Sequence, residues 1–180
     1  MKTKYIVSIC ASILLLVSVW YIVRASSEIS IDQNVYYPVT YVVDGDTFKV
    51  LIGGKGITVR MLGINTPETV DPRKAPECFG HEASDETKRL LGGRKVQLHF
   101  NPHRELKDKY GRYLAYAYRD DGLFVNEELL KQGFAREYTF GTAYSFQREF
   151  RNIEVVAQKE NRGLWGMCGD TAKRLEKSHD

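Results

Sequence analysis

The sequence predicts an α+β domain, mainly β, in which five short strands close into a barrel and about three helices are inserted or appended. Three observations predict it. Segments rich in β-branched and aromatic residues alternate at 37–43, 47–52 and 57–62, separated by turns of Asp and Gly. A helical stretch then intervenes, and two more strand-like segments follow at 95–100 and 113–118. Finally, Phe146, Phe150, Ile153, Val156 and Ala157 step by three and four, the period of a helix with one buried face.

The N-terminal segment stands apart from that domain. Met1 to Lys4 carries two lysines, Tyr5 to Val23 is an uncharged run of 19 residues, and Arg24 with a polar stretch follows. Basic, then apolar, then polar is the pattern of an export signal or a membrane anchor. The run approaches the ~20 residues that span a bilayer, and Trp20 and Tyr21 suit an interface. Val23-Arg24-Ala25 equally suits cleavage, and a buried helix of the domain is a third reading. Anchor and signal both place the remainder outside the cytoplasm, with Lys2 and Lys4 inside. The expected organisation is a leader at 1–25, a linker at 26–36, the folded domain at 37–168 and a tail at 169–180.

Local chemistry sets each element. Tyr37–Val43 is a strand, Asp44-Gly45-Asp46 a turn, Thr47–Ile52 a strand and Gly53–Gly56 a hairpin loop; Ile57–Leu62 completes a meander. Thr66–Gly80 holds Pro67, Pro72 and Pro76 and is irregular. His81–Leu91 is a helix closed by Gly92-Gly93. Lys95–Phe100 and Tyr113–Tyr118 are strands. Val125–Gln132 is a short helix ended by Gly133, Phe134–Phe140 is extended, and Tyr144–Asn161 is the longest helix. Gly163-Leu164-Trp165 folds back onto the core. Three strands, a helix and two more strands match the order of an oligonucleotide/oligosaccharide-binding barrel.

Global charge says little about partners. Three of the 26 basic residues lie in the leader, which has no Asp or Glu, leaving 23 basic against 23 acidic residues. Any case for nucleic acid rests on local clusters. The four histidines, His81, His99, His103 and His179, show no metal-ligand spacing. Cys10 lies in the apolar run. Cys78 and Cys168 remain as an even pair in an exported domain, where a disulfide closing a long loop is the stronger reading and thiol chemistry the weaker one.

Three clusters carry chemistry. Asp44-Gly45-Asp46-Thr47 is, at its plainest, a turn; its alternative is a pair of carboxylates whose repulsion a cation relieves. Arg60 faces away from the core if Val59 and Met61 face it, and Asn65-Thr66-Pro67-Glu68 adds hard oxygen groups just beyond. Tyr110-Gly111-Arg112, with Lys107 and Lys109 nearby, is either a solvated basic turn or a grip on phosphate, for which the guanidinium fork is suited. All three fall where strands begin or end, so one mouth of a barrel can gather them.

Taken together, Val43-Asp44-Gly45-Asp46-Thr47, Arg60 through Glu68, Asp108 through Tyr116, Val125-Asn126-Glu127 and Gly163-Leu164-Trp165 resemble the staphylococcal nuclease (thermonuclease) family. The resemblance runs from about Val39 to Trp165. It implies a calcium-dependent phosphodiesterase, an endonuclease with little sequence preference that cuts DNA and RNA, prefers single strands and leaves 3′-phosphate ends. Carried over by position, Asp46 is the direct calcium carboxylate, Asp44 its acidic supporter, and the Thr66 carbonyl and Asn65 further ligands. Arg60 and Arg112 clamp the scissile phosphate, Glu68 is the general base, and Lys109 touches a neighbouring phosphate. Tyr138 lines the nucleotide pocket, with Tyr110 and Phe140 as aromatic faces. The resemblance also implies a monomer.

Two positions depart from the family pattern. Asn65 stands where it has Asp, which implies weaker calcium affinity. Phe140 stands where it often has Tyr, which loses a phosphate hydrogen bond but keeps stacking. Cys78 and Cys168, absent from the reference pattern but found in exported relatives, would tie the 66–80 segment to the C-terminal tail. The rival reading is a catalytically weak barrel at the cell surface that binds single-stranded nucleic acid.

Overall fold

The computed structural model describes residues 17, 18, 20, 29–69 and 75–169. The expected leader, apart from three of its residues, and the tail beyond 169 lie outside these, as does the middle of the proline-rich segment. Among the described residues no helix is long and apolar enough to cross a membrane. Contacts divide the chain at Ile31, and the unit from Asp32 onward holds the barrel and its helices.

Five strands form a closed barrel: β1 (Tyr37–Val42), β2 (Thr47–Ile52), β3 (Lys55–Met61), β5 (Lys95–His99) and β6 (Tyr113–Arg119). Their order around the barrel is β1-β2-β3-β6-β5, with β5 closing on β1. Only the β3–β6 contact is parallel. Alternation decides which way the side chains point. Phe48, Val50 and Ile52 of β2 are buried, whereas Lys49 and Leu51 between them are exposed. Phe48, Val50, Val59, Val96 and Leu98 are solvent-free and fill the interior.

Among the described residues four helices accompany the barrel: α1 (Gly80–Leu91), α2 (Val125–Lys131), α3 (Gln147–Lys159) and the short α4 (Leu164–Met167). α2 is fastened to the barrel by buried Asn126, whose Oδ1 accepts the Ala117 N–H at 2.9 Å and whose Nδ2 donates to the Leu62 carbonyl at 2.9 Å. The disulfide is present. Cys78 and Cys168 are joined across 90 residues. In the chain-entropy account a loop of that size is worth roughly 4–5 kcal/mol.

Three expectations need correction. Phe134–Phe140 is not one extended segment: only β7 (Arg136–Glu137) is strand, paired with the equally short β4 (Ile64–Asn65) in a separate two-stranded sheet. The Tyr144–Asn161 helix is shorter, Gln147–Lys159. Its buried line runs Phe150, Glu154, Ala157, leaving Val156 45% exposed. The reason is polar. Glu154 accepts the Glu137 N–H at 2.9 Å, so the helix turns a carboxylate inward to satisfy the backbone of β7.

Candidate active site

The turn between β1 and β2 is built tightly. The Val43 and Asp44 N–H groups both donate to the Thr47 carbonyl, at 2.8 and 3.2 Å. A Cβ on Gly45 would lie 2.6 Å from Thr66 Oγ1, so only glycine admits the approach of this turn to Thr66. From the other side Thr87 of α1, fully buried, donates its hydroxyl to the Gly45 carbonyl at 2.6 Å.

That scaffold holds Asp46, 5% exposed, at the centre of a polar cluster. Thr47 Oγ1 donates to Asp46 Oδ1 at 3.0 Å, and the Thr66 N–H donates to Oδ2 at 2.9 Å. Arg60 Nη2 lies 3.0 Å from the same Oδ2. The Asp46 N–H in turn donates to Asp44 Oδ1 at 3.1 Å. Burial first, and the negative charge of Asp46 second, push the Asp44 carboxyl up to about 7.

Arg60 is opposite Thr47 across the β2–β3 ladder, and Val59 and Met61 point inward as the alternation requires. Its guanidinium is nearly saturated by the protein. Nη1 donates to the Met61 and Ile64 carbonyls at 2.9 and 2.8 Å, and Nη2 donates to Asn65 Oδ1 at 2.8 Å as well as pairing with Asp46.

Arg112 is held differently. Its Nε donates to Asp108 Oδ2 at 2.6 Å, while Asp108 Oδ1 accepts the Tyr110 and Arg112 N–H groups, each at 2.9 Å. Burial works to raise the Asp108 carboxyl, but its hydrogen bonds and the Arg112 charge outweigh it and hold the group below its ordinary value. Among the described residues the two terminal nitrogens of Arg112 make no hydrogen bond, and the side chain is 30% exposed. Sequence reasoning assigned Asp108 no role; an Asp four residues before an Arg across a Gly turn was the available signal. Arg60 pairs with Leu114 in the parallel β3–β6 ladder, so Arg112 lies two residues before the neighbour of Arg60 in the chain.

The remaining predicted residues fall around these two centres. Glu68 is half-buried two residues beyond Thr66, and its Oε1 accepts the Thr69 N–H at 2.8 Å. Tyr110, 72% exposed, has the Lys109 ammonium 5.0 Å and the Arg112 guanidinium 5.4 Å from its ring centre. Tyr138 and Phe140 stack on each other at 6.5 Å, and the Tyr138 N–H donates to the Gly63 carbonyl at 3.0 Å. Gly63 also accepts the Tyr144 hydroxyl at 3.1 Å, a support that sequence reasoning missed. Tyr138 and Phe140 thus form one aromatic group, and Tyr110 belongs to the Arg112 turn.

The donor set near Asp46 suits a hard cation. Asp44, Asp46, the Asn65 amide oxygen and the Thr66 carbonyl are all oxygen ligands, the type calcium takes. Among the described residues no three His, Cys, Asp or Glu side chains gather as a metal site. A cation here would therefore draw on two carboxylates and neutral oxygens. Burial first, and repulsion from Asp46 second, raise the Asp44 carboxyl, and a cation here would oppose both.

Residues 58–167 match the family described as staphylococcal nuclease homologue. The chain is 41% identical over 129 residues to the thermonuclease of Staphylococcus hyicus, covering 72% of this chain and 75% of that one. It is 40% identical over 133 residues to endonuclease YncB of Bacillus subtilis, covering 73% of this chain but 62% of the relative. Against the SPbeta prophage-derived endonuclease YokF of the same organism, identity is 41% over 133 residues, with 44% of that relative covered. The chain thus spans less than two thirds of the length of both endonucleases.

Proposed function

The chain belongs to the family of staphylococcal nuclease homologues and is a nuclease, and on that premise we propose that it hydrolyses phosphodiester bonds of DNA and RNA with calcium, little sequence preference and a bias to single strands, leaving 3′-phosphate ends. The observation that carries the reading is the buried Asp46, bound at once to Thr66, Thr47 and Arg60 beside a second carboxylate that burial keeps from ionising easily.

Asp46, Asp44, the Asn65 side-chain oxygen and the Thr66 carbonyl would hold the calcium, which would supply positive charge against the phosphate. Arg112 offers its terminal nitrogens to the scissile phosphate, with Asp108 on Nε fixing the plane of the fork. Arg60 adds a second positive charge beside that phosphate and keeps Asp46 and Asn65 aimed. Glu68 takes a proton from the attacking water. Lys109 contacts an adjacent phosphate. Tyr110, Tyr138 and Phe140 offer faces on which any base can stack, which suits a sequence-tolerant enzyme. The protein acts outside the cytoplasm, a reading supported by the charge pattern of residues 1–25 and by the disulfide.

The test uses the full chain on heat-denatured DNA, with millimolar calcium against a chelator. Cutting that needs calcium, and that Glu68→Ala and Arg112→Ala each abolish, supports the proposal. DNA that is bound but never cut would replace it with the binding module, and Asn65→Asp would then be the first variant made.

A further inference from the structure

A reciprocal pair of hydrogen bonds closes the loop that carries Glu68. The Glu77 N–H donates to the Glu68 carbonyl at 2.8 Å, and the Glu68 N–H donates to Glu77 Oε2 at 3.2 Å. Glu77 therefore holds Glu68 through both its backbone and its side chain. The start of α1 closes on the same place: a Cβ on Gly80 would lie 2.6 Å from Thr69 Cγ2 and 3.1 Å from the Glu68 carbonyl oxygen.

Glu77 has its own anchor. The next residue is Cys78, exposed and bonded to Cys168. Cys168 follows α4 and packs, with Phe79, against the buried cluster of Ala157, Leu164 and Trp165. The disulfide thus ties residues 77–79 to the far end of the chain, and through Glu77 that tie reaches Glu68.

We propose that Glu77 is a positioning residue for the Glu68 carboxylate, and that the Cys78–Cys168 bond holds Glu77 in place, so that turnover depends on the bond's being intact. This rests on Glu68 being the base. A general base works only when held within hydrogen-bond reach of its water, and a displacement of about 1 Å can cost on the order of 100-fold in rate. The substrate is held elsewhere, by Arg112, Lys109 and the aromatic faces, so KM is insulated. Dithiothreitol can reach the exposed Cys78; it reduces the cystine to two thiols while its own two thiols close to a cyclic disulfide, with two electrons and two protons transferred.

The experiment measures kcat, KM and the thermal midpoint for the full chain on heat-denatured DNA in millimolar calcium. The variants are Glu77→Ala, Glu77→Gln, Glu68→Ala and the double change Cys78→Ser with Cys168→Ser. Glu77→Ala should lower kcat roughly 10-fold or more and leave KM within about twofold, the signature of a contact that matters in the transition state. Glu77→Gln, whose amide oxygen still accepts the Glu68 N–H, should restore most of the rate. The double serine variant and dithiothreitol should each lower kcat, and dithiothreitol should do nothing further to the double variant. Wild-type kcat in Glu77→Ala, a loss carried by KM, no rescue by Glu77→Gln, or a loss seen only near the variant's melting temperature would each overturn the proposal. Full activity in Glu68→Ala would instead bring down the assignment of the base on which it rests.

Discussion

Arg60 and Arg112 both pair with an aspartate, yet they are built to opposite ends. Arg60 spends its terminal nitrogens on Met61, Ile64, Asn65 and Asp46. Arg112 spends only Nε, on Asp108, and turns its fork outward. The difference comes from the surroundings of each aspartate. Asp46 is buried and needs a positive charge to stay there; Asp108 is organised by two backbone N–H groups of its own turn. One guanidinium is taken up by the fold; the other keeps its terminal nitrogens for the phosphate contact proposed above.

Arg112→Ala should give the largest effect. It should cost about 100- to 1,000-fold in kcat, as loss of one transition-state donor does, while denaturant unfolding moves by less than about 1 kcal/mol. Arg112→Lys should recover little, because an ammonium cannot make the paired contact. A midpoint that falls in step with activity would show Arg112 to be structural too, and the contrast with Arg60 would be lost.

Arg60→Ala should invert the pattern. It strands the Asp46 carboxylate in a buried place, and chelator-treated protein should lose about 3 kcal/mol in urea unfolding. Calcium should return part of that loss by replacing the missing charge. Equal stability with and without Arg60 would refute its structural share.

A smaller effect probes the same contrast from the ligand side. Asn65→Asp gives Arg60 a second anionic partner and the cation a third carboxylate. Calcium should then raise the thermal midpoint at roughly 10-fold lower concentration. An unchanged titration would remove Asn65 from the metal ligands.

The gentlest test is pH. The folded Asp44 carboxyl sits at about 7, above its ordinary value of 3.8. Folding therefore favours the protonated form, and the stability it contributes is complete below 3.8 and is lost as pH rises through about 7. Chelator-treated protein should weaken across that window, Asp44→Asn should flatten the slope, and calcium should flatten it in wild type.

The barrel was legible because its strands alternate: Phe48, Val50 and Ile52 against Lys49 and Leu51 state which face is inside. The β4–β7 pair was not, since two residues carry no period, and Glu154 was not, because only the three-dimensional neighbour Glu137 makes a buried carboxylate sensible. At the site, Asp44, Asp46, Arg60 and Asn65 were readable as residue types at telling spacings. That the terminal nitrogens of Arg60 are taken up could not be read, because two of their acceptors are main-chain carbonyls, which every residue carries. Glu77 was hidden for the same reason: its partner is the backbone of Glu68.

The Gly45 carbonyl is held by a hydroxyl 42 positions away, the Leu62 carbonyl by an amide 64 positions away and the Gly63 carbonyl by a phenol 81 positions away. These long separations set a time order. A ribosome must release Thr87, Asn126 and Tyr144 before the loops around Asp46 can settle, and non-local contacts form late. The surroundings of Asp46 therefore assemble only after Tyr144 has left the ribosome.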